Sequence, residues 1–310
     1  MNFLSQLDNT SFVAVCFCFF NLLLTLIVRI WSYYKKTPML TAFNKRMATL
    51  WVLILLFVPV FVCGKAVSCL FFAALSAVGL AEYQKMTALK QQGSAHNFWV
   101  YAFLLLQYAA IYFDQRVLFA VLIPFSLFLL IPFSGIVYRQ EKEVWQTCVN
   151  DYIGLMLTVY AMSHMCGYIC FESMLDNSGR GLLLFILILT LMSDFLQAIC
   201  GFLCGRHYVT PVLSPHQTWE GLIGGGLLTA GLSYVMGKYL TPFGPAELLI
   251  GGFVLNFAAF CGDVTISAVK RYAGVKDSSN LLPGHGGLLD RFNSILLTAP
   301  CLFWYVVWYY

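Results

Sequence analysis

The sequence predicts an all-α fold, a polytopic integral membrane protein of about ten transmembrane helices by the length a bilayer crossing requires. Three observations predict it. Hydrophobic residues make up 60% of the chain and charged residues only 10%, whereas a soluble domain carries about 25% charge. Mean hydropathy is +0.78. Apolar runs follow one another along the whole length, and no strand-period alternation competes with them. Such a chain lacks the polar surface to coat a water-soluble globule.

A crossing needs about 20 mostly apolar residues. By that measure the spans fall at 12–29, 47–63, 66–81, 98–113, 117–136, 152–171, 181–203, 221–240, 247–262 and 294–310. The first run is read as a span rather than a cleaved signal. Its leading residues contain Asp8 and no base, and the positive charges follow the run. No polar linker divides the chain, so it reads as one membrane domain. Its N-terminal helices occupy 1–180, and a C-terminal transmembrane region with polar motif loops occupies 181–310.

Lys and Arg set the expected orientation. With the N-terminus outside, the inner face receives Arg29, Lys35, Lys36, Lys45, Arg46, Lys85, Lys90, Arg139, Lys142, Arg206, Lys270, Arg271, Lys276 and Arg291. The outer face receives Lys65, Arg116, Arg180 and Lys238. Fourteen against four, out of eighteen, places the polar segments 204–220 and 263–293 together on the cytoplasmic side. The net charge of +4 is small and no block of five like charges occurs, which argues against a nucleic-acid partner. The eleven cysteines sit mostly inside apolar runs. Even the i, i+4 pairs Cys166/Cys170 and Cys200/Cys204 are read as small apolar packing residues rather than ligands.

The densest polar stretch begins where the ninth span ends. Asp263, Ser267, Lys270 and Arg271 fall at i, i+4, i+7 and i+8, on one helical face. A carboxylate beside cations suits Mg²⁺ next to an anionic substrate, since the first offers hard oxygen and the others neutralise phosphate. Gly274 is expected to end the helix, with Lys276 and Asp277 in the loop beyond. In Pro283-Gly284-His285-Gly286-Gly287 the glycines would let backbone amides approach an anion. The chain then re-enters a helix near Leu288, whose first turns carry Asp290 and Arg291. Upstream, Ser214 or Thr218 can cap the helix that follows, with Glu220 in its first turn. Gly221, Gly224, Gly225 and Gly226 fit close helix packing. Asp194, deep in the seventh span, is expensive in hydrocarbon and is therefore a functional candidate. His164 reads as a packing histidine.

These stretches together resemble a known signature. Gly262-Asp263, Ser267, Lys270-Arg271, Gly274-Val275-Lys276-Asp277-Ser278, Leu282-Pro283-Gly284-His285-Gly286-Gly287 and Asp290-Arg291 are similar to the signature of phosphatidate cytidylyltransferases. Ser214-Pro215, Thr218-Trp219-Glu220-Gly221 and Gly224-Gly225 resemble that family's second block, and Asp194 with Gly205-Arg206 its intramembrane acid and following turn. The likeness covers roughly 190–300; residues 1–180 share only their apolar character. It implies transfer of CMP from CTP to phosphatidic acid or another lipid phosphate, giving CDP-diacylglycerol and pyrophosphate. It also implies Mg²⁺ on Asp263 and Asp290, with Asp194 as a further candidate ligand. Lys270, Arg271, Lys276 and Arg291 would hold the phosphates, with Asp277 beside them. Ser214, Thr218, Ser267, Gly284, His285, Gly286 and Gly287 would line the substrate pocket. The pattern departs at Ile266 (usually Glu), at His216 and Gln217 (usually Lys), at Asn293 (usually Asp), and around Gln197, Ala198 and Ile199. A bacterial inner membrane is the expected location, and a homodimer is left open.

Overall fold

The computed structural model describes residues 9–34, 51, 54–87, 94–137, 141–171, 179–211, 213–279, 281 and 286–310. Residues 47–50, 52 and 53 of the expected span 47–63, and the loop residues Gly284 and His285, lie outside the described residues.

The fold is helical and polytopic. Helix α1 covers Asn9–Tyr34, a helical stretch follows at 54–62, and α2 covers Gly64–Thr87. Then come α3 (Ser94–Tyr112), α4 (Arg116–Val137), α5 (Glu141–Gly154) and α6 (Ala161–Cys170). The C-terminal half contributes α7 (Gly179–Cys204), α8 (Trp219–Leu240), α9 (Pro245–Tyr272), the one-turn α10 (Leu289–Phe292) and α11 (Ile295–Tyr309). Among the described residues, five helical stretches are long and apolar enough to cross a membrane: Thr10–Ser32, Gly64–Thr87, Trp145–Cys170, Gly179–Cys204 and Pro245–Tyr272. Phe98–Tyr112, Arg116–Leu130 and Ile295–Tyr309 are shorter apolar helices.

Two features depart from the sequence expectation. A turn of π-helix, Leu155–Tyr160, joins α5 to α6 within one continuous span. A small antiparallel hairpin pairs β1 (Tyr208–Thr210) with β2 (Ser214–Thr218), where only helix and loop were expected. The hairpin is too short to show a hydrophobic period, and its turn is built around Pro211.

The apolar core runs through α2, α6, α7 and α11 around residues such as Phe72, Leu155, Tyr168, Ile186 and Phe303. His164 belongs to it, ringed by Phe119, Phe303 and Trp304 and bonded through Nδ1 to the Tyr160 carbonyl at 2.7 Å.

The frame of the site is the α7–α8–α9 layer. Glycines bring these helices together, as the spacing predicts. A methyl group at Gly225 would lie 2.8 Å from the backbone of Gln197 on α7, and one at Gly226 2.7 Å from the Phe253 ring on α9. A buried polar network locks the same helices. Ser193 donates to Asn256 Oδ1 at 2.9 Å, Gln197 donates to the same oxygen at 3.0 Å, and Asn256 donates to the Leu222 carbonyl at 3.1 Å. Gly225→Ala forces α7 and α8 apart and is expected to cost about 1–3 kcal/mol. The check is a lowered melting temperature in detergent. Gly231→Ala, where nothing lies within 4 Å, should leave it unchanged.

Candidate active site

Helix α9 outruns its apolar stretch and carries the polar stripe beyond it. It stops where expected, with Ala273 as cap and Gly274 at φ +72°, a conformation that favours glycine. On this stripe Asp263, Ser267 and Lys270 are half-buried, while Arg271 is exposed. Lys276 and Asp277 are exposed in the loop that follows.

The two polar segments meet at Asp263. Gln217, on β2, donates through its amide to Asp263 Oδ2, and Asn293, just past α10, donates to Oδ1. Both are positions where the sequence departs from the signature, and they close on one carboxylate. The Gln217 carbonyl oxygen is buried beside it without a hydrogen-bond partner. Thr218 ends the strand and caps α8, accepting the Gly221 amide at 3.1 Å. Glu220 closes the hairpin from the other side. It accepts His207 Nδ1 at 2.6 Å and the amides of Arg206 and His207, contacts that hold its carboxyl well below the usual range. Ser214 lies at the hairpin's turn end, in register with Thr210.

Asp290 is satisfied by the protein. Its Oδ1 accepts Lys270 Nζ at 2.7 Å. Its Oδ2 accepts the Ser278 amide at 2.8 Å, the Ser278 hydroxyl at 3.0 Å and the Gly287 amide at 3.0 Å. Three of these donors converge on Oδ2, while Oδ1 serves Lys270 alone. The Lys270–Asp290 side chains are only 16% and 10% exposed, so this pair is not of the weak surface kind. Gly286, at φ +78°, passes so close that a methyl group there would sit 2.5 Å from Asp290 Oδ2. Burial by itself raises the Asp290 carboxyl, but Lys270 and the Gly287 and Ser278 amides outweigh it and hold the group below its ordinary value. Its contribution to stability is therefore complete above the unfolded carboxyl value of about 3.9 and disappears as pH falls through the lower folded value. Acid titration of the melting temperature should show this loss below about pH 4, and Asp290→Asn should remove that part of the dependence.

A residue that the sequence reading passed over anchors the loop. Glu82, near the end of α2, is 5% exposed. Its Oε1 accepts the Ser279 hydroxyl at 2.6 Å and the Leu288 amide at 2.9 Å. Its Oε2 accepts the Leu289 amide at 3.0 Å and the Ser278 hydroxyl at 3.3 Å. The amides of Gly287, Leu288 and Leu289, which a Gly-rich turn would offer to an anion, are thus taken by Asp290 and Glu82. An isolated acid at the end of an apolar run reads in sequence as a rim charge, so nothing local marked it.

Asp194 approaches from α7. It is exposed. Its Oδ1 accepts the Ser294 hydroxyl at 2.9 Å rather than Gln197, which serves the Asn256 network. Asp194 and Asp263 are near enough to repel each other, as are Asp263 and Asp290. Arg291 is half-buried in α10, and Ile266 faces the apolar core, 1% exposed.

The donors around Asp263 fit a hard divalent cation. Each Asp263 oxygen accepts one amide and keeps a free lone pair, the orphaned Gln217 oxygen lies alongside, and Asp194 borders the same region. Asp290 is more fully engaged, with Oδ2 holding three donors and Oδ1 holding the Lys270 ammonium.

A family profile described as the cytidylyltransferase family matches residues 44–309. The match reaches well beyond the stretch the signature covers and takes in Glu82. An uncharacterized Escherichia coli protein, YnbB, is 35% identical over 261 residues, 84% of this chain and 86% of its own length. A phosphatidate cytidylyltransferase of Staphylococcus saprophyticus is 38% identical over 128 residues, and one of Rickettsia felis 35% identical over 159. These alignments span 41% and 49% of this chain, and 49% and 67% of the relatives. The chain therefore spans only about half the length of the staphylococcal enzyme it matches. With a family profile matched over residues 44–309, a predominantly helical membrane fold, and two distant polar segments meeting at Asp263, the chain belongs to the cytidylyltransferase family and is a membrane nucleotidyltransferase.

Proposed function

We propose that the protein transfers CMP from CTP to a lipid phosphate, phosphatidic acid in the first instance, giving CDP-diacylglycerol and pyrophosphate. The observation that carries this reading is the meeting of Gln217, Asn293 and Asp263 beside the Lys270–Asp290 pair. It places a carboxylate with spare lone pairs at the foot of a cationic stripe. In the reaction a phosphate oxygen of the lipid attacks the α-phosphorus of CTP, the bond to the bridging oxygen breaks, and pyrophosphate leaves. Such a transfer needs positioning and charge neutralisation more than covalent help. Exposed Arg271 and Lys276 receive the triphosphate from water, and Arg291 and Lys270 line the inner part of the same face. Asp263, with Asp194 and the Gln217 oxygen, would hold Mg²⁺, which would supply charge neutralisation on the phosphates. Ser267, one turn from Asp263, faces the same substrate. The distribution of Lys and Arg supports a cytoplasmic orientation for this face. The lipid enters from the side of the bundle and the nucleotide from the aqueous phase.

The test is the purified chain in detergent–lipid micelles with Mg²⁺, labelled CTP and a panel of lipid phosphates. Label in the lipid fraction, with pyrophosphate released in equal amount, is the expected result. Absence of label with every lipid phosphate would overturn the reading in favour of a non-catalytic member that binds anionic lipid. The near full-length likeness to an uncharacterized protein, against part-length likeness to phosphatidate enzymes, favours a lipid phosphate other than phosphatidic acid as the second reading. The same panel decides it.

A further inference from the structure

A second cluster of chemistry-bearing side chains lies far from Asp263. Cys69 on α2 and Cys166 and Cys170 on α6 turn their sulfurs toward one another. The three Sγ–Sγ separations are 3.5, 3.6 and 3.5 Å. Cys166 is 0% exposed, Cys69 6% and Cys170 7%. Along α2, Cys69 is thirteen residues before Glu82, which at 1.5 Å per residue is about 20 Å. The triangle thus lies at the opposite end of the bundle, and the proposed transfer makes no use of it.

We propose that Cys69, Cys166 and Cys170 form a tris-thiolate site for one Zn²⁺ ion. Among the described residues, this is the group of three or more His, Cys, Asp or Glu whose ligand atoms all lie within 4.8 Å of one another. The triangle is nearly equilateral. A cation at a Zn–S length of about 2.3 Å from each corner sits about 1 Å above the sulfur plane, which is the base of a tetrahedron with its apex open. The carbonyl oxygen of Lys65, 3.9 Å from Cys170 Sγ, lies beside it as an oxygen donor.

Charge balance points the same way. Zn²⁺ binding displaces three thiol protons, which leave to solvent, and the assembled site carries one net negative charge. The Lys65 ammonium, at the same end over the Tyr112 ring, is placed to offset it. Without metal the neutral thiols cost little to bury, so the helices keep their packing. The sequence shows the i, i+4 pair on α6 but not its third member, which comes from a helix about 100 residues earlier. The cluster sits near one end of both helices, since Cys170 is the last residue of α6 and Cys69 lies about 8 Å along α2 from its start.

The experiment uses the full chain in detergent, reduced and stripped of metal. After Zn²⁺ loading and dialysis against a weak chelator, one equivalent should remain. Co²⁺ should give a saturating thiolate-to-metal charge-transfer absorption. Cys69→Ser, Cys166→Ser and Cys170→Ser should each weaken Zn²⁺ binding at least about tenfold. Cys200→Ser and Cys204→Ser should leave it unchanged. Zinc retention no greater than that of the triple serine variant would overturn the proposal. So would a missing Co²⁺ thiolate band in the unmodified protein, which requires no variant to fold, or a disulfide between any two of the three after purification without oxidant. Lipid-linked label from CTP is measured separately, so failure here and failure of the transfer reading are distinguishable.

Discussion

Asp263→Asn is expected to lower lipid-dependent transfer from CTP on the order of 100- to 1,000-fold while leaving the fold in place. The side chain keeps its size. One of its two oxygens remains to accept an amide, from Gln217 or from Asn293, and the other becomes a donor facing a donor. What disappears is the charge and the pair of free lone pairs that make the position a hard-cation ligand. Raising Mg²⁺ should recover part of the activity if the loss lies in metal affinity. Initial rates over a Mg²⁺ series, together with the melting temperature, check both halves. A variant that keeps most of the wild-type rate would remove Asp263 from the chemistry.

Glu82→Ala is expected to have the largest effect on stability, although Glu82 touches no substrate. Removing its carboxylate strands the buried amides of Leu288 and Leu289 and takes the acceptor from the Ser279 hydroxyl, while the Ser278 hydroxyl keeps Asp290. An unsatisfied buried donor costs about 1–3 kcal/mol, so the two amides alone cost about 2–6 kcal/mol. Ser279→Ala, which removes one hydroxyl and leaves the amides paired, should cost only about 1 kcal/mol. Limited proteolysis around 276–288, compared with cleavage elsewhere, separates local opening of the loop from global unfolding. In Glu82→Ala, activity should fall in parallel with that opening.

How far these residues could be read from the sequence follows the range of the interactions. The apolar runs fix where helices form because each run is judged against the bilayer alone. The stripe of Asp263, Ser267, Lys270 and Arg271 and the stop at Gly274 are local helical geometry, and they stand where spacing puts them. Thr218 as cap and the glycines of α8 as packing surface are local in the same way. The hairpin is another matter, since five residues containing Pro215 give no alternation to detect. Glu82 and Cys69 act through partners about 200 and 100 residues away. No spacing rule reaches across helices that far. Gln217 and Asn293, judged one at a time, read as lost charges near the site. Only their convergence on Asp263 shows that a polar pair replaces them together.

The anchoring of the Gly-rich loop by an α2 carboxylate also has a consequence for biosynthesis. The ribosome makes Glu82 some 200 residues before Leu289 exists. During that interval the acid is committed to the bilayer rim with none of its four donors, and α2 must dwell near the interface or in the translocon's polar environment until the last helices arrive. Closure of the bundle is therefore the event that completes both ends of the chain at once.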